Sequence, residues 1–316
     1  MQIRPLNTPA QVTAAAALAH RSHEGLRRRL TYLPRREPDR YVDRLEWLAD
    51  HGRLLGLYAH DRLAAFLGGF VLPDFRHNGP GAFCPDWAHG ATADDPQATW
   101  EYRVLYRELA AHWLGEGVRI HAAAAYVTDD AAREALTLTG FGRIMVDAAR
   151  SQTDLVAQLC HLDRVGARRA TAGDAQALAQ LEQHLVAHLA GSPVFFCHPE
   201  GRDAAAWSAW LVQPDARAWV VPAAGTIAGY IKAQAPQLDV SDAVHGPATL
   251  AINGLVVRPD ARRQGLARHL LAALVNGAAE EQFTLVSVDC ETANLEAWGF
   301  WTRWFEPLAY GYERRV

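Results

Sequence analysis

The chain repeats its own plan at a fixed distance. Arg4 and Arg168, Phe66 and Tyr230, and Phe141 and Phe305 are each 164 positions apart (168 − 4, 230 − 66, 305 − 141). Around these anchors the same kinds of segment recur in the same order. "QIRPLNTPAQVTAAAALAH" is answered by "GARRATAGDAQALAQLEQHLVAHL", a short strand with Arg, a turn rich in Thr, Pro or Gly, then an alanine-rich helix. "GLYAHDRLAAFLGGF" is answered by "WVVPAAGTIAGYIKAQ", two apolar strands around a polar or glycine turn, which reads as a hairpin. "LTGFGRIMVDAAR" is answered by "TRWFEPLAYGYERR". Three ordered anchors at one offset indicate a duplicated domain. The reading places one copy in 1–150, a linker in 151–165 and the second copy in 166–316.

A length of 316 residues, half of them hydrophobic, suffices for two such cores. Each copy runs strand, one or two helices, hairpin, strand, helix, strand, helix and terminal strands. That order specifies an α/β (α+β) fold, a mixed and partly antiparallel sheet flanked by helices. It lacks the strict alternation of a Rossmann fold, and there is no GxGxxG.

Charge narrows the function. The net charge is −4 with no basic block, so nucleic acid is not an expected partner. Arginine supplies the positive charge, and Lys232 is the only lysine. Four scattered cysteines without a CxxC pair speak for a reducing compartment and against a disulfide framework or metal site. No stretch is apolar for the ~18 residues of a membrane span, and no secretory leader is evident. A cytoplasmic protein is expected.

The chemistry concentrates in "TLAINGLVVRPDARRQGLARHLLAALVNG". A continuous apolar strand stops at Pro259, a cationic turn follows, and a helix opens with Leu266, Leu270 and Leu274 as its stripe; Gly277 is its expected C-terminal stop. Such a junction points unpaired N–H groups and the positive end of a helix dipole at one spot, which suits a pyrophosphate. Gly265 admits the ligand to the backbone, Ala267 stays small, and Arg262 and Arg263 supply charge.

The pattern V-x-P-x-x-R-x-x-G-x-A after an apolar strand resembles motif A of the GNAT superfamily of acyl-CoA-dependent N-acyltransferases. Downstream, "NLEAWGFWTRWFEPLAYGYERR" resembles the superfamily's motif B, with Asn294, Ala297, Phe300 and Trp301 in its places. The resemblance covers 166–316 well and, through the duplication, 1–150 faintly. It implies a tandem GNAT with a degenerate first copy. The activity implied is direct transfer of an acyl group, usually acetyl, from coenzyme A to a small amine in a ternary complex, without a metal. Leu255, Val256 and Val257 would hold the pantetheine, and Arg262, Arg263, Gln264, Gly265, Leu266 and Ala267 the pyrophosphate. Asn294 would lie beside the pantetheine arm while serving as a helix N-cap.

The chain departs from the superfamily where protons move. Asn253 stands where many members carry a Glu base, and Trp301 where many carry a Tyr acid; neither side chain transfers protons usefully. Glu291 and Tyr310 are the candidate replacements, with Asp289 and Tyr312 beside them. The acceptor pocket is expected at "GSPVFFCHPEG", through Phe195, Phe196 and His198, with Trp207 and Trp210 nearby. The competing reading is a non-catalytic module that binds acyl-CoA or a partner protein. At the 164 offset, Arg262–Ala267 falls on "ATWEYR" (98–103) and Asn294 on Asp130, so a single coenzyme site is expected, in the second copy.

Overall fold

The computed structural model describes every residue except 94, 161–165, 197–200, 237–242 and 245. Two compact units divide the chain. The first holds Met1–Asp147 with Ala243, Val244 and Pro307–Val316; the second holds 148–236 and 246–306.

In the first unit the chain forms β1 (Gln2–Pro5), α1 (Pro9–Arg27), α2 (Pro38–His51), β2 (Arg53–Ala59), β3 (Arg62–Leu72), β4 (Gly81–Cys84) and β5 (His89–Ala91). It continues through α3 (Ala98–Gly115), β6 (Ile120–Tyr126), α4 (Asp130–Leu138) and β7 (Gly142–Ser151), the last crossing the division at residue 147. Strands β1, β2, β3 and β4 pair antiparallel in that order, β5 also pairs β3, and β4 pairs β6 in parallel. The run "AAAA" in β6 shows why the sheet is thin. Ala122 and Ala124 face the layer of α1 and α2, Ala123 and Ala125 the layer of α3, because strand side chains alternate faces.

The second unit comprises α5 (Gln152–Leu159), β8 (Arg168–Arg169), α6 (Ala175–Ala190), α7 (Ala204–Leu211), β9 (Arg217–Ala223), β10 (Thr226–Gln234) and β11 (Thr249–Val257). After these come α8 (Leu266–Glu280), β12 (Leu285–Glu291), α9 (Leu295–Trp304) and the start of β13 (Glu306–Arg315). Strands β8 to β11 pair antiparallel and β11 pairs β12 in parallel. Helices α6 and α7 bury Leu178, Leu181, Trp207 and Trp210 on Val220, Tyr230 and Val256, while Leu270, Leu271 and Leu274 of α8 are also buried. The mixed, helix-flanked sheets expected from sequence are present in both units.

The 164-residue offset recurs in the strand pairs. β2 and β9 begin 164 residues apart (217 − 53), as do β3 and β10 (226 − 62). Their two-residue turns share one conformation, His60 and Asp61 at φ 49° and 59°, Ala224 and Gly225 at φ 49° and 78°. Left-handed φ at both central residues is the turn that matches strand twist.

Three expectations change. The segment expected as a linker contains α5, capped by Ser151 Oγ on the Asp154 N–H at 3.1 Å, with Leu155 and Leu159 buried. The last strand belongs to the first unit: β13 pairs β6 antiparallel from Ala309↔Tyr126 to Arg315↔Ile120. Gly277 is not a helix stop; α8 runs on to Glu280, and a Cβ at Gly277 would collide with the Trp219 indole.

A buried ion pair joins α6 to β10. Lys232 Nζ lies 3.2 Å from Glu182 Oε1, Tyr230 Oη donates to Glu182 Oε2 at 2.5 Å, and all three residues are buried. Burial pushes the ammonium's pKa down and the phenol's up. Among the described residues, no helix is long and apolar enough to cross a membrane.

Candidate active site

Strands β11 and β12 pair in parallel only from Thr249↔Leu285 to Ile252↔Val288. Beyond that point β11 continues alone on this side, so the backbone edge of its last residues is free of a β12 partner. A bulge against β10 sharpens the divergence. Gly254 opposes Lys232 and Ile252 opposes Ala233, leaving Asn253 as the extra, exposed residue. Gly254 is required there, because a Cβ would strike the Lys232 stem 2.6 Å away.

The turn after β11 is held in a conformation most side chains avoid. Pro259–Ala261 form one 3-10 turn, Arg262 is extended with its Nε on Val257 O at 3.2 Å, and Arg263 sits at φ 62°. Gly265 follows at φ 80° as the N-cap of α8, and no side chain caps that helix. Glycine tolerates this φ where other residues are strained. A hollow of about 360 Å³ opens over the turn, lined by Arg262, Arg263, Gly265, Leu266, Ala267 and Arg268 on one side and by Phe300, Arg303 and Trp304 of α9 on the other.

A second hollow of about 220 Å³ adjoins it, sharing Val257, Arg262, Ala267 and Phe300. Leu255 and Val256 form its floor, Asn294, Ala297 and Trp301 one wall, and His184, Leu185 and His188 of α6 the other. The start of α6 is anchored by Arg168, whose guanidinium grips Asp174 through two 2.7 Å bonds and holds that carboxyl down at about 2. Asn294 is buried and caps α9, its Oδ1 accepting the Ala297 N–H and the His188 ring nitrogen Nε2, each at 3.1 Å.

Residues 178–306 match the acetyltransferase (GNAT) family. This segment is a GNAT domain. No curated protein sequence matches the chain. Among solved structures, a GCN5-related N-acetyltransferase from Sphaerobacter thermophilus is similar over 99% of this chain and 95% of its own, with TM-score 0.55 and 13% identity. A tandem GNAT protein from the clavulanic acid biosynthesis pathway, free of acetyl-CoA, aligns over 99% and 98% with TM-score 0.50 and 15% identity. A GNAT-family acetyltransferase from Colwellia psychrerythraea aligns over the full length of both chains, with TM-score 0.50 and 12% identity. At these identities the likeness is one of fold.

In the GNAT domain the two hollows gather most of the residues expected to hold a coenzyme. Leu255, Val256, Val257, Arg262, Arg263, Gly265, Leu266, Ala267 and Asn294 line one or both. Gln264 is exposed in the turn and lines neither. Glu291 ends β12 half-buried, its carbonyl accepting the Asn294 N–H at 3.0 Å, and its side chain lines neither hollow. Tyr310 lines neither hollow; it lies on β13 in the first unit, paired with Ala125, with the Arg143 guanidinium 3.8 Å from its ring. Phe195 is exposed at φ 50°, the Phe196 N–H donates to Leu189 O, and neither lines a hollow; His198 lies outside the described residues. Trp207 and Trp210 are core. Sequence reasoning missed His184 and His188. Their i, i+4 spacing puts them on one face of α6, but nothing in the sequence shows which face meets α9.

The first unit has a corresponding cleft of different chemistry. It measures about 530 Å³ and is lined by Arg21, Arg28, Arg29, Asp95, Asp129 and Asp130 among others. Two carboxylates bond backbone N–H groups there, Asp95 that of Gln97 at 2.8 Å just before α3 and Asp129, the N-cap of α4, that of Ala132 at 3.1 Å.

Proposed function

We propose that the GNAT domain binds acetyl-CoA and transfers its acetyl group directly to a small-molecule amine in a ternary complex. The observation that carries this reading is the uncapped start of α8, with Gly265 at φ 80° and Arg262, Arg263, Arg268 and Arg303 around the same hollow. Open N–H groups, a helix dipole and converging guanidiniums suit a pyrophosphate, and the free edge of Leu255–Val257 suits the amides of a pantetheine arm. The residues present therefore fit the co-substrate. Trp301 packs between Phe300 and Phe305, at 4.8 and 5.6 Å between ring centres, and serves as wall and not as acid.

Calorimetric titration with coenzyme A tests the site. One equivalent is expected. Gly265→Val strains the αL turn and sets a branched side chain in the phosphate hollow; losing one or two charge-assisted bonds at ~1.5–3 kcal/mol each lowers affinity at least tenfold. Two equivalents, or undiminished binding by the variant, would refute the assignment. Incubation with acetyl-CoA and a panel of amines, followed by free-thiol detection, tests transfer. Asn253 and Trp301 favour a second reading, an acyl-CoA-binding module without turnover, which predicts binding and no thiol release.

A further inference from the structure

The geometry points to His188 as the general base of the transfer, an assignment that rests on the acyl-transfer reading above. Asn294 sets the tautomer of His188. Its Oδ1 accepts a backbone N–H, from Ala297 at 3.1 Å, and a backbone donor cannot be exchanged for an acceptor. The amide orientation is thereby fixed. The same oxygen lies 3.1 Å from His188 Nε2, so Nε2 must be the protonated, donating nitrogen. In the neutral ring Nδ1 then carries the lone pair.

His188 lines the cleft formed with Leu255, Asn294 and Trp301, beside the point where β11 and β12 diverge. The other titratable groups lining it are His184 on the same helix, Arg262 from the turn and Glu296 on α9. Arg262 takes up no proton at neutral pH, and His184 and Glu296 are exposed. His188 is half-buried, hydrogen-bonded and held in one tautomer, as a base requires. It supplies what Asn253 cannot.

An amine arriving as ammonium gives one proton to His188 Nδ1, freeing its lone pair. That pair forms the C–N bond at the thioester carbonyl, the C–S bond breaks, and its electrons leave on sulfur. The second nitrogen proton passes to the thiolate, and His188 releases the first to water. The products are the acetamide, free coenzyme A and one proton.

Two measurements decide it. Two-dimensional ¹⁵N–¹H spectra of the labelled protein, with His188→Gln assigning the signal, should show the Nε2–H tautomer; an Nδ1–H tautomer overturns the assignment. With acetyl-CoA and an amine acetylated in the panel, His188→Gln should lower kcat at pH 7 by about 100-fold or more. The variant should also lose the acid limb of the rate profile. Wild-type kcat and profile in that variant overturn it. Coenzyme A binding with no amine acetylated by the unmodified protein overturns the transfer reading, and this assignment with it.

Discussion

Several residues of the proposed site can be tested alone. Trp301 is buried against two phenylalanines, so Trp301→Phe, which deletes part of a packed ring, should cost about 1–3 kcal/mol of stability and leave coenzyme binding intact. Loss of turnover by orders of magnitude with unchanged binding would show that the indole acts chemically. In the first unit, His23 is buried and donates Nε2–H to Pro34 O at 2.9 Å; burial and then Arg36 bring its pKa down to about 4. The folded state thus binds this proton less well than the unfolded chain. Stability is fully present above about pH 6.5 and falls as pH drops toward 4, by up to about 3 kcal/mol at roughly 1.4 kcal/mol per tenfold change in proton affinity. Urea midpoints at pH 4.5, 5.5 and 7 should fall with acid, and His23→Gln should flatten that slope. A variant slope equal to that of the unmodified protein would show that other groups set it.

At the scale of elements, the sequence showed strands better than helix starts. Strand pairs keep the 164 offset because a hairpin admits no insertion without changing its turn. Helices tolerate slippage at their ends. α3 and α8 begin 168 residues apart (266 − 98), and the N-caps Asp129 and Asn294 differ by 165 (294 − 129). Asn294 therefore corresponds to Asp129, and the turn around Gly265 to residues just before α3. At those places in the first unit Asp95 accepts the Gln97 N–H and Asp129 caps α4. Gly277 was misread because a glycine near a helix end resembles a stop, whereas its reason is the Trp219 ring across the sheet. The residues of the proposed coenzyme site were legible because phosphate recognition is local in sequence. The proposed base was not, because His188 and Asn294 are 106 positions apart.

For the whole molecule, the final strand matters most. β13 supplies the first unit with the neighbour of β6, and Tyr312 is buried in its core. A chain ending at Glu306 should therefore lose the integrity of residues 1–147 while retaining every residue lining the coenzyme hollows. Limited proteolysis should show cuts within β6 or α3; protection equal to that of the full chain would refute this. The pairing also argues that cutting the protein at residue 150 or 166 will not yield a stable N-terminal half.

The ion pair under α6 has a practical consequence. The chain's sole ε-amine is Lys232, sealed against Glu182 with its side chain 6% exposed. Succinimidyl dyes should therefore tag the folded protein at its α-amine and nowhere else. A fluorophore attached this way reports from one known position, and unfolding can be followed as the appearance of a second site of attachment. By the same logic, prolonged exposure to a reactive thioester should leave the folded chain without side-chain acetylation on nitrogen.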